Sequence, residues 1–190
     1  MIVQSGNDAA IVLAEGISGT EDIFSDLMNS VARELGMKNT IFRNSTGWPD
    51  PEQNTSAKDL SILSTNLIKN FPDLYKMFAE ISFTYNGIKQ GNRNPLLYKR
   101  IGADGIKTGY LAVEKYSLAS SIIGKDRRLI AVGSGFTTKQ ARSDESARMF
   151  RWALRNTNTY EIAKEIVPKF KFKTWLGKED FVEGVVKEDI

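Results

Sequence analysis

Two short runs in this 190-residue chain combine side chains that can move a proton with side chains that can hold an anion. One is Ser5-Gly6-Asn7; the other is Lys107-Thr108-Gly109, within Asp104-Gly105-Ile106-Lys107-Thr108-Gly109-Tyr110. The chain has no cysteine and no histidine, which removes thiol nucleophiles, Cys/His zinc sites and any Ser-His-Asp triad. Acid–base chemistry must then use Lys, carboxylates, Tyr or Ser. Acyl transfer to a serine needs a base, a proton path to the leaving amine and donors for an oxyanion. Lysine can serve there, because crowded cations lower its pKa toward working pH and a hydroxyl between two amines relays a proton. Taken singly the runs are weak. Ser-x-Asn arises by chance in about half of chains this long and Lys-Thr-Gly in roughly 2 to 3%. The ordinary readings are a capping turn for Ser5-Gly6-Asn7 and an exposed strand lysine beside a bulge glycine for Lys107.

The elements that must position these residues can be read from periodicity. Residues 7–15, with Asp8-Ala9-Ala10-Ile11-Val12-Leu13-Ala14, predict an Ala-rich helix with Asn7 as its N-cap, so Ser5 and Asn7 sit where a loop enters a helix. Thr20, followed by Glu21 and Asp22, opens a second helix with Ile23, Leu27, Val31 and Leu35 at helical spacing and Gly36 as its stop. Residues 44–54 read as a loop, Thr55 as the cap of a helix with Leu60, Leu63 and Leu67 on one face, and Pro72 as the start of a short helix to Met77. Residues 81–85 alternate like a strand ended by Asn86-Gly87, and 90–95 read as a polar loop. Residues 105–111, 116–123 and 129–136 predict three strands, the last two joined by a tight hairpin at 124–127, which puts Lys107 on a sheet. Residues 139–155 return to helix, with Ala141, Met149, Phe150, Ala153 and Leu154 available for burial. Beyond 156–159, apolar and charged residues alternate over 167–173 and 181–186, which predicts exposed antiparallel strands and a domain boundary near residue 158. Two or three strands are marginal alone, so this second domain is expected to continue past Ile190.

The composition, 41% apolar and 26% charged, is that of a globular chain with a core. A net charge of +3 and a pI near 9.0 come from scattered residues, with no block of five like charges, so nucleic acid is not an expected partner. No run approaches the ~18 apolar residues of a membrane span, and Met1-Ile2-Val3-Gln4 lacks the basic start of a signal peptide.

Beyond the two short runs, further segments follow one family's order: Val3-Gln4-Ser5-Gly6-Asn7-Asp8-Ala9, Leu35-Gly36-Met37, Asn44-Ser45-Thr46-Gly47-Trp48-Pro49-Asp50, Thr55-Ser56-Ala57-Lys58-Asp59-Leu60, and Gly91-Asn92-Arg93-Asn94-Pro95-Leu96-Leu97. On these residues the chain resembles the low-molecular-mass penicillin-binding proteins, the serine-type D-alanyl-D-alanine carboxypeptidases of the bacterial cell wall, from about residue 2 to residue 156. The resemblance implies an α+β fold of the penicillin-binding-protein/β-lactamase-like transpeptidase type, an antiparallel sheet with a helical cluster. It assigns residues 1–158 to the C-terminal part of that domain, N-terminally truncated, and 159–190 to the start of a small β-sandwich domain.

It further implies that Ser5 relays a proton toward the leaving D-alanine and that Asn7 holds the peptide carbonyl and a lysine outside this chain. Lys107 would supply positive potential opposite Ser5. Thr108 would hydrogen-bond the substrate's terminal carboxylate, Gly109 would lie on the same substrate-binding strand, and the Tyr110 N–H would be one of two oxyanion donors. Arg93 would help fix the carboxylate region. The expected partners are the D-Ala-D-Ala end of the peptidoglycan stem peptide and β-lactam antibiotics, with no metal or organic cofactor. The expected location is outside the cytoplasm, in the periplasm or on the outer face of the cytoplasmic membrane, with membrane contact only through a C-terminal segment not in this chain.

Departures from the family pattern are equally specific. The Ser-x-x-Lys signature that carries the family's nucleophile occurs nowhere in residues 1–190, and the nearest look-alike, Thr55-Ser56-Ala57-Lys58, reads as a helix cap. The chain is therefore expected to hold half an active site and to be inactive alone. Leu111, Glu114 and Lys115 follow the Lys-Thr-Gly run where the family has small residues, and Phe136 stands near where many members place an arginine, which predicts a weakened carboxylate grip. Two alternatives are a β-lactamase-like hydrolase, which the β-strand tail argues against, and a non-catalytic pseudoenzyme that binds peptidoglycan or penicillin.

Overall fold

The computed structural model describes residues 1–160, 162–168 and 170–187. The chain divides into two units, Met1–Arg155 and Asn156–Ile190. In chain order the first runs α1 (Asn7–Ser18), α2 (Glu21–Glu34), α3 (Ala57–Asn70), α4 (Pro72–Tyr75) and a 3-10 turn (Lys76–Ala79). It continues with β1 (Ser82–Tyr85), β2 (Ile88–Gly91), a second 3-10 turn (Pro95–Tyr98), β3 (Ala103–Leu111), β4 (Lys115–Gly124), β5 (Arg127–Phe136) and α5 (Lys139–Asn156). Strands β3, β4 and β5 form an antiparallel sheet in that order, with Lys107 opposite Ala119 and Ala119 opposite Val132. The β4–β5 turn is tight because Lys125 and Asp126 both take left-handed φ, 51° and 59°, the twist that lets a two-residue loop join right-handed strands.

Alternation along the strands gives the sheet two different faces. On one, Leu118 and Ile122 pack with Leu96, Ala147 and Phe150, flanked by Leu129, Ala131 and Leu154. This is the main core, with α5 and the Pro95–Tyr98 turn laid over the sheet, and each fully buried Leu, Ile or Phe side chain contributes about 1.5–3 kcal/mol by leaving water. The opposite face lies against the helices: β5 neighbours α3, and β3 neighbours the Lys76–Ala79 turn. Four polar residues tie that side together. Arg128 forms an ion pair with Asp104 at 2.6 Å and donates to Ser121 Oγ at 2.5 Å, and the Tyr75 hydroxyl donates to Asp104 at 3.2 Å.

The expected α+β architecture is the observed one, and the differences lie in the details. Gly6, not Asn7, is the N-cap of α1, and Asn7 is its first helical residue. Thr20 does cap α2, accepting from the Ile23 N–H, whereas α3 is capped by Ser56, one residue past Thr55. The stripe Ile23, Leu27 and Val31 is exposed; α2 instead buries Ser25 and Ala32 and α1 buries Ala10 and Ala14. Small side chains let these two helices approach closely, so size decides the buried face where hydrophobicity predicted another. Residues 88–91, read in part as loop, are β2, paired with β1 through the Asn86-Gly87 turn. Met149 is exposed, because α5 buries the stripe Arg142, Ser143, Ser146, Ala147 and Phe150 and Met149 falls beside it.

The second unit contains one antiparallel pair, β6 (Phe170–Lys173) with β7 (Phe181–Gly184), and an isolated bridge between Glu165 and Val186. Lys169, inside the predicted alternation, and residues 188–190 of the expected second domain lie outside the described residues.

Candidate active site

Ser5 ends the turn that feeds α1 with φ 58°, a left-handed conformation that costs a non-glycine residue about 1–2 kcal/mol. Strain of this kind persists where neighbours hold it. Here the holding segment is 91–93: Gln4 Nε2 donates to Gly91 O at 2.8 Å, the Arg93 N–H to Val3 O at 3.3 Å, and Arg93 Nη2 to Gln4 Oε1 at 3.3 Å. Asn92 and Asn94 are buried on either side of exposed Arg93. The Asn92 side chain donates to Glu80 O at 2.9 Å and accepts from the Asn94 N–H at 2.9 Å, while Asn94 Oδ1 accepts from the Leu96 N–H at 3.0 Å. The two asparagines thus lock the backbone and leave the arginine presented between them.

Lys107, on β3, reaches this turn. Its Nζ donates to Ser5 Oγ, and to its neighbour's carbonyl, Thr108 O, at 2.8 Å. Gly109 follows because β3 and β4 come close there: a Cβ at 109 would collide with Ser117 Oγ. Tyr110 carries an exposed ring 4.7 Å from that of Tyr116, its partner on β4. Ser5, Lys107, Thr108, Gly109 and Arg93 therefore gather along the β3 edge of the sheet, with Tyr110 further along the same strand. Asn7, the first residue of α1 and two positions after Ser5, is solvent-exposed and without a side-chain hydrogen bond among the described residues.

One contributor escaped the sequence reading. Arg142, in the first turns of α5, is only 7% exposed; its guanidinium lies 5.5 Å from the centre of the Tyr116 ring, and Nη2 is 3.5 Å from Arg93 O. Its Nε is buried without a hydrogen-bond partner among the described residues. The available signal was its position on the 142, 143, 146, 147, 150 stripe, where a guanidinium replaces the small or apolar residue that a buried face calls for. Phe136 fills a different place: its ring folds over Gly133, where a Cβ would lie 2.7 Å from Phe136 Cζ. A cation does stand close to Arg93, on α5: the Arg142 guanidinium, whose Nη2 is 3.5 Å from Arg93 O. Glu114 and Lys115 are exposed at the β3–β4 turn.

Burial, then the charges of Arg93 and Arg142, lower the Lys107 ammonium to a pKa of about 8. None of the three cations has a carboxylate partner among the described residues. Such a cluster repels itself and is relieved by an anion. No group of three or more His, Cys, Asp and Glu residues able to hold a metal occurs among the described residues. A groove of about 610 Å³ between α2 and residues 36–43 is lined by Asn29, Arg33 and Lys38 among others and by none of the gathered residues.

Comparison with known proteins agrees with this geometry. Residues 1–138 match the family model described as D-alanyl-D-alanine carboxypeptidase. The chain belongs to that family. Among its relatives is the D-alanyl-D-alanine carboxypeptidase DacA of Haemophilus influenzae, 42% identical over 171 residues, which are 87% of this chain and 44% of the relative. The crystal structure of penicillin-binding protein 5 from Haemophilus influenzae superposes with a TM-score of 0.91 at 37% identity, covering 99% of this chain and 55% of the other. Penicillin-binding protein D2 of Listeria monocytogenes in an ampicillin-bound form gives a TM-score of 0.72 at 28% identity, covering 80% of this chain and 63% of that one. As a carboxypeptidase-family chain it spans about half the length of the curated relatives it matches. No described helix is long and apolar enough to cross a membrane.

Proposed function

We propose that the protein carrying this chain is a serine-type D-alanyl-D-alanine carboxypeptidase that trims the terminal D-Ala from peptidoglycan stem peptides, and that residues 1–158 form the proton-relay and carboxylate-binding half of its site. The observation that carries this reading is the Lys107–Ser5 contact beside Arg93 and Arg142, three cations that lack a counter-anion among the described residues. A peptide ending in D-Ala-D-Ala brings that anion as its terminal carboxylate.

In this reaction a serine hydroxyl, from outside the Ser5-Gly6-Asn7 run, attacks the carbonyl of the penultimate D-Ala. The peptide C–N bond breaks, the departing nitrogen takes a proton and leaves as D-alanine, and water then cleaves the ester to regenerate the serine. Ser5, accepting from Lys107, is placed to hand on that proton. Thr108 and the Arg142 guanidinium hold the terminal carboxylate, a charge-assisted pairing stronger than one between neutral groups. The Tyr110 N–H donates to the oxyanion and Asn7 to the peptide carbonyl. Arg93 adds positive potential from the rim. Residues 159–190 begin a β-rich domain, the reaction takes place outside the cytoplasm, and β-lactams acylate the same serine.

The test is release of D-alanine from an N-acylated peptide ending in D-Ala-D-Ala by the full-length gene product. Release that is lost in Lys107→Ala and in Ser5→Ala supports the proposal. Stable penicillin binding with no D-alanine released would make the protein a non-catalytic binder.

A further inference from the structure

From the cation–ring contact at Arg142 we infer that Tyr116 is a positioning residue: its ring aims the Arg142 guanidinium at the carboxylate pocket and so sets the preference for substrates that end in a free carboxylate. The inference rests on the carboxypeptidase reading and deepens it.

Arg142 is nearly enclosed, yet it is poorly held. Its Nε has no partner among the described residues, and its one polar contact, to Arg93 O, is 3.5 Å long, at the outer limit of a hydrogen bond. No carboxylate pairs with it among the described residues. A guanidinium with five donors and so few acceptors has no hydrogen-bonding reason to keep one orientation before substrate arrives. What it has is the face of Tyr116 at 5.5 Å, within the range where the ring quadrupole attracts a cation, more strongly where water is excluded. Tyr116 cannot easily swing away, because the Tyr110 ring packs against it, tilted by 41° with centroids 4.7 Å apart, and the two residues face each other across β3 and β4. The register also puts Thr108, Tyr110 and Tyr116 on one sheet face. Arg142, Tyr116 and Tyr110 thus form a ladder beside Thr108, the other residue assigned to the carboxylate. The electrostatics of one ring replaces the hydrogen bonds that Arg142 lacks, and leaves its donors open to a ligand.

The test uses the full-length protein and two N-acylated peptides, one ending in D-Ala-D-Ala and one in the corresponding C-terminal amide. The readout is the acid-to-amide ratio in kcat/KM, and also in equilibrium binding, which needs no turnover. Tyr116→Leu should lower this ratio roughly tenfold, mainly through a higher KM for the acid, while Tyr116→Phe, which keeps the quadrupole, stays within about threefold of wild type. Ring-fluorinated phenylalanine at position 116 keeps the shape of Phe and reverses the quadrupole, so it should behave like Leu even if Tyr116→Leu folds poorly. A ratio that is unchanged in the fluorinated protein, or an equal loss on both peptides, would overturn the inference. Failure of wild type to release D-alanine from the acid or D-alaninamide from the amide would instead remove the carboxypeptidase reading, and the binding ratios would still decide the role of Tyr116.

Discussion

Lys107 combines a cost in stability with a use in chemistry. Its ammonium is buried beside two arginines and its pKa has dropped to about 8, below the ~10.4 of an unfolded lysine. Between these values the unfolded chain binds more protons than the folded one, so stability rises with pH across that window, and below pH 8 the full penalty for burying the charge applies. Lys107→Met should therefore abolish D-alanine release and yet raise the unfolding free energy by about 1–2 kcal/mol below pH 8. That gain should fade above pH 8, and urea titrations at pH 6.5 and 9.5 would check it. The proton relay needs the charged amine, so kcat/KM should fall on the alkaline side with an apparent pKa near 8. Arg93→Gln removes a repelling cation and should move this limb upward. A rate that instead climbs through pH 8 would make neutral Lys107 a base.

The strand that presents Lys107 is anchored from beneath by a second polar cluster. Asp104 at the start of β3 and Arg128 on β5 form an ion pair across Ser121 of β4, each about a quarter exposed. The Arg128 guanidinium also lies 5.3 Å from the centre of the Tyr75 ring, and burial pushes the Tyr75 hydroxyl up to about 12, so it remains a donor at any working pH. Breaking such a pair from one side leaves a charge stranded. Asp104→Ala should cost about 2–3 kcal/mol in chemical denaturation, and the double change Asp104→Ala with Arg128→Met less than the sum of the singles. This cluster was not legible in the sequence, because its members stand 29, 24 and 7 positions apart along the chain and meet only through sheet register. The three long strands and the tight hairpin were legible, since alternation and turn chemistry are local. So was the placing of Ser5 before a helix and Lys107 on a strand. Arg142 was not, since its place depends on α5 packing over β4 and so bringing it to Tyr116 and Arg93, and a cap off by one residue at Ser56 reflects two adjacent hydroxyls that pattern alone does not rank.

For the molecule as a whole, the question is whether these 190 residues can themselves take up an acyl group. A lysine three residues after a serine on a helix brings amine and hydroxyl together within one turn, and no serine of this chain has one. The chain's own substitute is Ser5 with Lys107, joined across 102 positions. In that pair the hydroxyl accepts from an amine that is charged below pH 8, an arrangement that stabilises a proton donor and not a nucleophile. The 190-residue polypeptide should therefore gain no mass on incubation with benzylpenicillin at pH 7, as read by intact-mass spectrometry. A gain of one penicillin that disappears in Ser5→Ala would reverse the assignment, making Ser5 the acylated residue and Lys107 its base. Raising the pH to 9 sharpens the choice: a Ser5–Lys107 nucleophile would be acylated faster there as the amine loses its proton, whereas a relay pair would remain unmodified.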